Sequence, residues 1–72
     1  MDNIKVRFGK RIREIRLSKE ISQEKLAELA DLDRTYITGI ESGKRNISIT
    51  VMDKLSTALE IRLSDFFKDI NL

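Results

Sequence analysis

Apolar residues recur at spacings of three and four along almost the whole chain, and residues suited to start a helix cut the pattern at intervals. Ile4, Phe8, Ile12 and Ile15 carry the first stretch, which predicts an amphipathic helix ending near Ser18–Lys19. Ser22 is suited to cap a second, with Ile21 packing ahead of it and Leu26, Ala27, Leu29 and Ala30 as its buried stripe, stopping around Asp31. Asp33 can cap a third, whose inner face is Tyr36, Ile37 and Ile40 and whose end is marked by Gly43. Ser48 opens a fourth, with Ile49, Met52, Leu55 and Leu59 in phase, and Ser64 a last short one bearing Phe66, Phe67 and Ile70. Proline is absent and strand alternation is weak, so five short helices in an all-α bundle are expected.

The 72 residues, 40% of them apolar, suffice for one small core, and the expectation is a single domain over residues 1–72. Charged residues make up 36% at a net charge of +2, the balance of a folded soluble domain, not of a polyelectrolyte tail. No apolar run approaches the roughly 20 residues that span a bilayer, and MDNIKVRFGK lacks the apolar stretch of a secretory signal, which together predict a cytoplasmic protein without a membrane partner. Neither cysteine nor histidine occurs, which removes disulfides, Cys/His zinc sites, thiol nucleophiles and imidazole bases. With no Gly-rich phosphate loop and its carboxylates scattered, the chain is read as a non-enzyme with no metal, cofactor or small-molecule ligand.

The charge is unevenly distributed: residues 1–25 carry eight basic against four acidic side chains, whereas the rest is slightly acidic. That asymmetry fits an anionic partner or a merely solvated basic helix face. The third helix is more telling. Its expected outer strip is Arg34, Thr35, Thr38, Gly39 and Ser42, with no carboxylate and little bulk. Exposed helix positions ordinarily favour Glu, Lys, Gln and Ala, and a mid-helix glycine costs about 1 kcal/mol relative to alanine. A slim, acid-free strip suits a helix lying in a phosphate-walled groove, where Arg34 reaches a guanine edge and threonine methyls meet thymine methyls. The same strip can also be read as a neutral turn of a small bundle, with Gly39 admitting a neighbouring helix. The context favours the groove. A tight Asp31-Leu32-Asp33 turn joins two helices, Gln23 at the start of the earlier one can hold a phosphate, and Lys44, Arg45 and Asn46 can hold another beyond the later one.

The stretch Ser22-Gln23-Glu24-Lys25-Leu26-Ala27 and the run DRTYITGIESGKRN closely resemble the helix-turn-helix of the phage-repressor-like (XRE-type) family of bacterial regulators, most of all the controller proteins of restriction–modification operons. The resemblance implies a five-helix lambda-repressor-like domain whose third helix enters the major groove, with Arg34, Thr35 and Thr38 reading bases and Gln23, Lys44, Arg45 and Asn46 on phosphates. It also implies that the Tyr36 hydroxyl reaches the DNA backbone and that Arg16 and Glu41 form a partly buried ion pair. Glu41, on the inner face, independently requires a partner, because a lone buried carboxylate is costly. Gly39 departs from the family pattern, in which many relatives have a larger polar residue.

The C-terminal third has more apolar residues than so small a core accommodates: Ile47, Val51, Ile61, Leu63, Phe67, Ile70 and Leu72. They are read as core caps or as a two-fold interface. The interface reading takes Ile47, Val51, Leu63, Phe67 and Ile70 as its residues and makes the chain a homodimer on a palindromic operator. RNA polymerase is a further partner if the regulator activates. An antitoxin or phage-type repressor of the same fold, acting partly through protein contacts, is the competing function.

Overall fold

The computed structural model describes residues 3–68, and the expectations for Ile70 and Leu72 lie outside them. Five helices follow in order: α1 Ile4–Ser18, α2 Gln23–Ala30, α3 Arg34–Glu41, α4 Ile49–Leu59 and α5 Leu63–Phe67. Side chains cap the first four. Asn3 accepts from the Val6 amide, Ser22 from Lys25, Asp33 from Thr35 and Ser48 from Val51, so each helix start has a partner for one of its free N–H groups.

The ends share a second device. Glu20, Asp31, Gly43 and Glu60 follow α1, α2, α3 and α4 with φ between 55 and 77°. After α3 the Gly43 amide donates to the Ile40 carbonyl at 3.0 Å and the Lys44 amide to Gly39 at 2.9 Å, the paired bonds of a Schellman motif. Only at Gly43 does the sequence supply the residue that adopts this backbone without steric cost.

Every helix sends one or more fully enclosed side chains to the centre: Ile12, Leu26, Ile37, Ile40, Leu55 and Phe66 all have 0% exposure. Phe66 meets the Phe8 ring edge-on at a centroid distance of 5.3 Å, and the Arg11 guanidinium donates to the Asp65 carbonyl at 2.8 and 3.0 Å, so α5 is fastened to α1 by both apolar and polar contacts. Gly9 marks the crossing of α1 and α3, where a Cβ would run into the Ile40 carbonyl oxygen. No helix among the described residues is long and apolar enough to cross a membrane.

Three details differ from the sequence reading. Leu29 is 48% exposed, because the buried face of α2 is Leu26, Ala27 and Ala30 and the helical rotation carries Leu29 off its edge. Ile49 is 75% exposed for the same reason: it lies about 120° around α4 from the enclosed Leu55. Ser64 is not a cap. Helix α5 begins two residues earlier, after Arg62, whose amide donates to the Asp65 carboxylate at 2.9 Å, so the acidic residue reaching back defines this start.

Arg16, buried on α1, donates from Nε to Glu41 Oε2 at 2.7 Å and from Nη2 to Oε1 at 3.0 Å, while its Nη1 donates to the Ile21 carbonyl at 2.8 Å. Only 9% and 3% of the two side chains are accessible. Removing one partner leaves the other charge enclosed without compensation, a loss of about 3 kcal/mol or more. Arg16→Ala is therefore expected to lower the melting temperature by 10 °C or more on the roughly 4–8 °C per kcal/mol of a domain this size. Lys19→Ala, at an exposed position, should shift it by little, and calorimetry on the two variants checks the contrast.

Candidate nucleic-acid interface

Helix α3 divides by register. Ile37 and Ile40 are enclosed and Tyr36 is half-buried, whereas Arg34, Thr35, Thr38 and Ser42 are exposed. No acid interrupts the exposed set, because Glu41 turns inward. The strip is thus presented to solvent with hydroxyls and one guanidinium, as a groove-reading helix requires.

A chain of hydrogen bonds runs from the scaffold to this strip. Its anchor is the Arg16–Glu41 pair, in which the hydrogen bond that Arg16 donates to Glu41, more than the Coulombic attraction, raises the Arg16 pKa against the opposing effect of burial. Gln23, the first residue of α2, donates from Nε2 to Glu41 Oε1 at 3.1 Å. Its Oε1 in turn accepts from the Thr38 hydroxyl at 3.1 Å, and that hydroxyl also lies 3.2 Å from the Arg34 carbonyl one turn earlier. The Gln23 side chain thus joins α2 to α3, and since Glu41 takes one of the two amide hydrogens, the other is left for a further acceptor. Nothing in residue type or spacing signals the Gln23–Thr38 bond.

The loop beyond α3 holds Lys44, Arg45 and Asn46, all exposed. Arg45 folds back onto the helix. Its guanidinium carbon is 5.2 Å from the centre of the Tyr36 ring, within cation–π range. Its side-chain Cγ lies only 2.7 Å from where a Cβ on Gly39 would sit. Gly39 is consequently half-buried, not open as the sequence reading has it, and the space it leaves is filled by Arg45. The Tyr36 hydroxyl donates to the Asn46 carbonyl at 3.5 Å, a long bond that leaves the oxygen accessible to other partners. Arg34 and Thr35, the first two residues of α3, are exposed beside its N-terminus.

The apolar residues assigned to a two-fold interface fall into two groups. Ile47, Val51 and Phe67 are half-buried and pack against the core, as does Ile61. Leu63 is 37% exposed and Ile70 lies outside the described residues. Ile49, which periodicity assigns to the core, is the most exposed large apolar side chain among the described residues. Among those residues no group of three or more potential metal-ligating side chains comes together.

A short helix set on a second across a three-residue turn, its outer face polar and acid-free, defines a helix-turn-helix domain. The family model described as helix-turn-helix matches residues 12–66, and the chain belongs to that family. It is 48% identical over 71 residues to control protein C.MunI from Mycoplasma sp., covering 97% of this chain and 96% of that protein. The restriction–modification controller protein C.AhdI from Aeromonas hydrophila is 49% identical with a TM-score of 0.86, covering 88% of this chain and 96% of its own. The controller protein C.Esp1396I, whose structure was determined as a tetramer in complex with its natural 35 base-pair operator, is 37% identical with a TM-score of 0.86, covering 94% and 90%.

The Arg45–Gly39 contact has opposite consequences for stability and geometry. Gly39→Ala removes a mid-helix glycine, a gain of up to about 1 kcal/mol, and displaces only a flexible side chain. The variant is expected to melt no lower than the parent while Arg45 leaves the Tyr36 ring. Loss of ring-current shifts on the Arg45 methylene protons, seen by NMR, checks the displacement.

Proposed function

We propose that the chain is a sequence-specific DNA-binding regulator, the controller of a restriction–modification operon, acting in the cytoplasm as a homodimer on a palindromic operator. The observation that carries this reading is the exposed, acid-free strip of Arg34, Thr35 and Thr38 on α3 with Ser42 at its C-cap, flanked by Gln23 on one side and the Lys44–Asn46 loop on the other. Identity of about one half to proteins named as controllers, over nearly full length, supports the operon assignment.

In this mechanism α3 enters the major groove. The planar fork of Arg34 takes the O6 and N7 acceptors of a guanine, while Thr35 and Thr38 meet base edges nearby. The free amide hydrogen of Gln23, the Tyr36 hydroxyl, Lys44, Arg45 and Asn46 take phosphates, fixing register without reading sequence. Two-fold association through Ile47, Val51, Leu63, Phe67 and Ile70 sets two α3 helices about 34 Å apart, one turn of duplex, which is the geometric origin of a palindrome. Occupancy follows protein concentration through the dimer equilibrium, and RNA polymerase becomes a partner where the bound dimer activates.

Two substitutions separate the roles. Arg34→Ala should cost about 1–3 kcal/mol on the operator and relax preference at one base pair, with random duplex nearly unaffected. Arg45→Ala should weaken operator and random duplex alike and reduce the slope of log K against log salt by about one. Fluorescence anisotropy on both duplexes across a salt series checks the pair. Equal weakening of both duplexes by Arg34→Ala would remove its base-reading role. Sedimentation at tens of micromolar should show a dimer, and a monomer alone would overturn the two-fold mechanism.

A further inference from the structure

We infer that Thr38 meets DNA only as a hydrogen-bond acceptor, so that its hydroxyl is set against an exocyclic amino group, adenine N6 or cytosine N4, and not against a major-groove acceptor. The inference rests on α3 reading DNA and adds the polarity of one contact.

The argument starts at the buried ion pair. Glu41, as the carboxylate partner of Arg16, only accepts hydrogen bonds. The Gln23 group 3.1 Å from Glu41 Oε1 must therefore be the amide nitrogen, which orients the whole amide and turns Oε1 towards Thr38. A hydroxyl has one proton. Both protein atoms within reach of the Thr38 hydroxyl, Gln23 Oε1 at 3.1 Å and the Arg34 carbonyl oxygen at 3.2 Å, are acceptors. Whichever one holds the proton, it points back into the protein. The lone pairs remaining on this exposed oxygen can only accept. In the major groove adenine and cytosine offer amino donors, whereas guanine O6 and N7 and thymine O4 offer acceptors that would face the Thr38 oxygen without a proton between them. A buried salt bridge on α1 and α3 thus sets, through one glutamine, which base edges a surface threonine tolerates.

Thr38→Val keeps the shape and the methyl and removes the hydroxyl; Thr38→Ser keeps the hydroxyl and removes the methyl. Duplexes are selected from a random pool by the wild-type protein, and the affinity of all three proteins is measured for every single-base variant of the selected site. Expected is one position where the wild type and Thr38→Ser prefer one base pair by about tenfold and Thr38→Val is indifferent. At that position, purine in place of adenine, or 2-pyrimidinone in place of cytosine, removes the amino group. It should weaken the wild type by the same factor and leave Thr38→Val unchanged. A preferred base pair that loses its amino group without weakening the wild type would overturn the polarity. A preference kept by Thr38→Val and lost by Thr38→Ser would assign the contact to the methyl and overturn it as well. An unchanged pattern in Thr38→Val overturns the inference alone, whereas failure of the wild type to select any site overturns it together with the DNA-reading function.

Discussion

The Arg16–Glu41 pair is the contact on which the arrangement of the helices depends. It joins α1 to α3, and through the Ile21 carbonyl and Gln23 it also holds the start of α2. A domain with seven fully buried large apolar side chains among its described residues, on helices of 5 to 15 residues, has little surplus stability with which to orient an eight-residue helix by packing alone. Apolar contacts tolerate small rotations; a bidentate guanidinium–carboxylate contact at 2.7 and 3.0 Å does not. Ile37 and Ile40 hold α3 against the core, and Glu41 fixes its rotation and therefore which side chains face outward. Such a pair is weak evidence of net stability when compared with an apolar replacement, and its value here is geometric.

The slimness of α3 has two origins. Arg34, Thr35, Thr38 and Ser42 are short or flexible side chains left in solvent, which is the feature expected where a duplex must come close. Gly39 serves another purpose: it makes room for Arg45, which crosses the helix and stacks near Tyr36. A flexible arginine has up to about 2 kcal/mol of rotamer entropy to lose on contact with a ligand. Laying it against a glycine and a ring beforehand removes part of that loss while keeping the residue exposed. The basic character of the first 25 residues divides similarly. Arg16 and Arg11 satisfy acceptors inside the protein, so two of the eight basic side chains that look like surface charge for an anion are internal fastening.

How much of this was legible in the sequence follows from the range of each interaction. Helix starts at Ser22, Asp33 and Ser48 were legible because a cap acts within three residues of its own position. The left-handed ends at Glu20, Asp31 and Glu60 were not, since residues other than glycine stand there and carry no mark of the backbone bonds, such as Leu32 to Ala27 and Ile61 to Ser56, that close those ends. Ile49 and Leu29 satisfy the helical period yet stand outside, because periodicity gives the direction of an apolar face and not how far its neighbours extend over it. Arg16 with Glu41 came from a family resemblance joined to the cost of a buried carboxylate. The Gln23–Thr38 bond and the Arg45 fold-back had no such support: each depends on side-chain rotamers meeting across two elements, and neither residue type demands the other.

The polar links give this domain a coupling that an apolar core would lack. In an apolar core a lost methyl group is felt mainly as stability, and the surface chemistry stays as it was. Here the carboxylate that orients α3 also orients the Gln23 amide, and that amide faces the hydroxyl of Thr38 on the outer strip. A change at Glu41 therefore acts at three levels together: the rotation of the helix, the orientation of a glutamine with a second amide hydrogen to give, and the partner of the exposed Thr38 hydroxyl. Hydrogen-bonded groups in a shared network do not contribute additively, so substitutions along Arg16, Glu41, Gln23 and Thr38 should not behave as independent perturbations. Scaffold and outer strip are one polar unit in this chain, joined by donors and acceptors whose direction is set from the inside out.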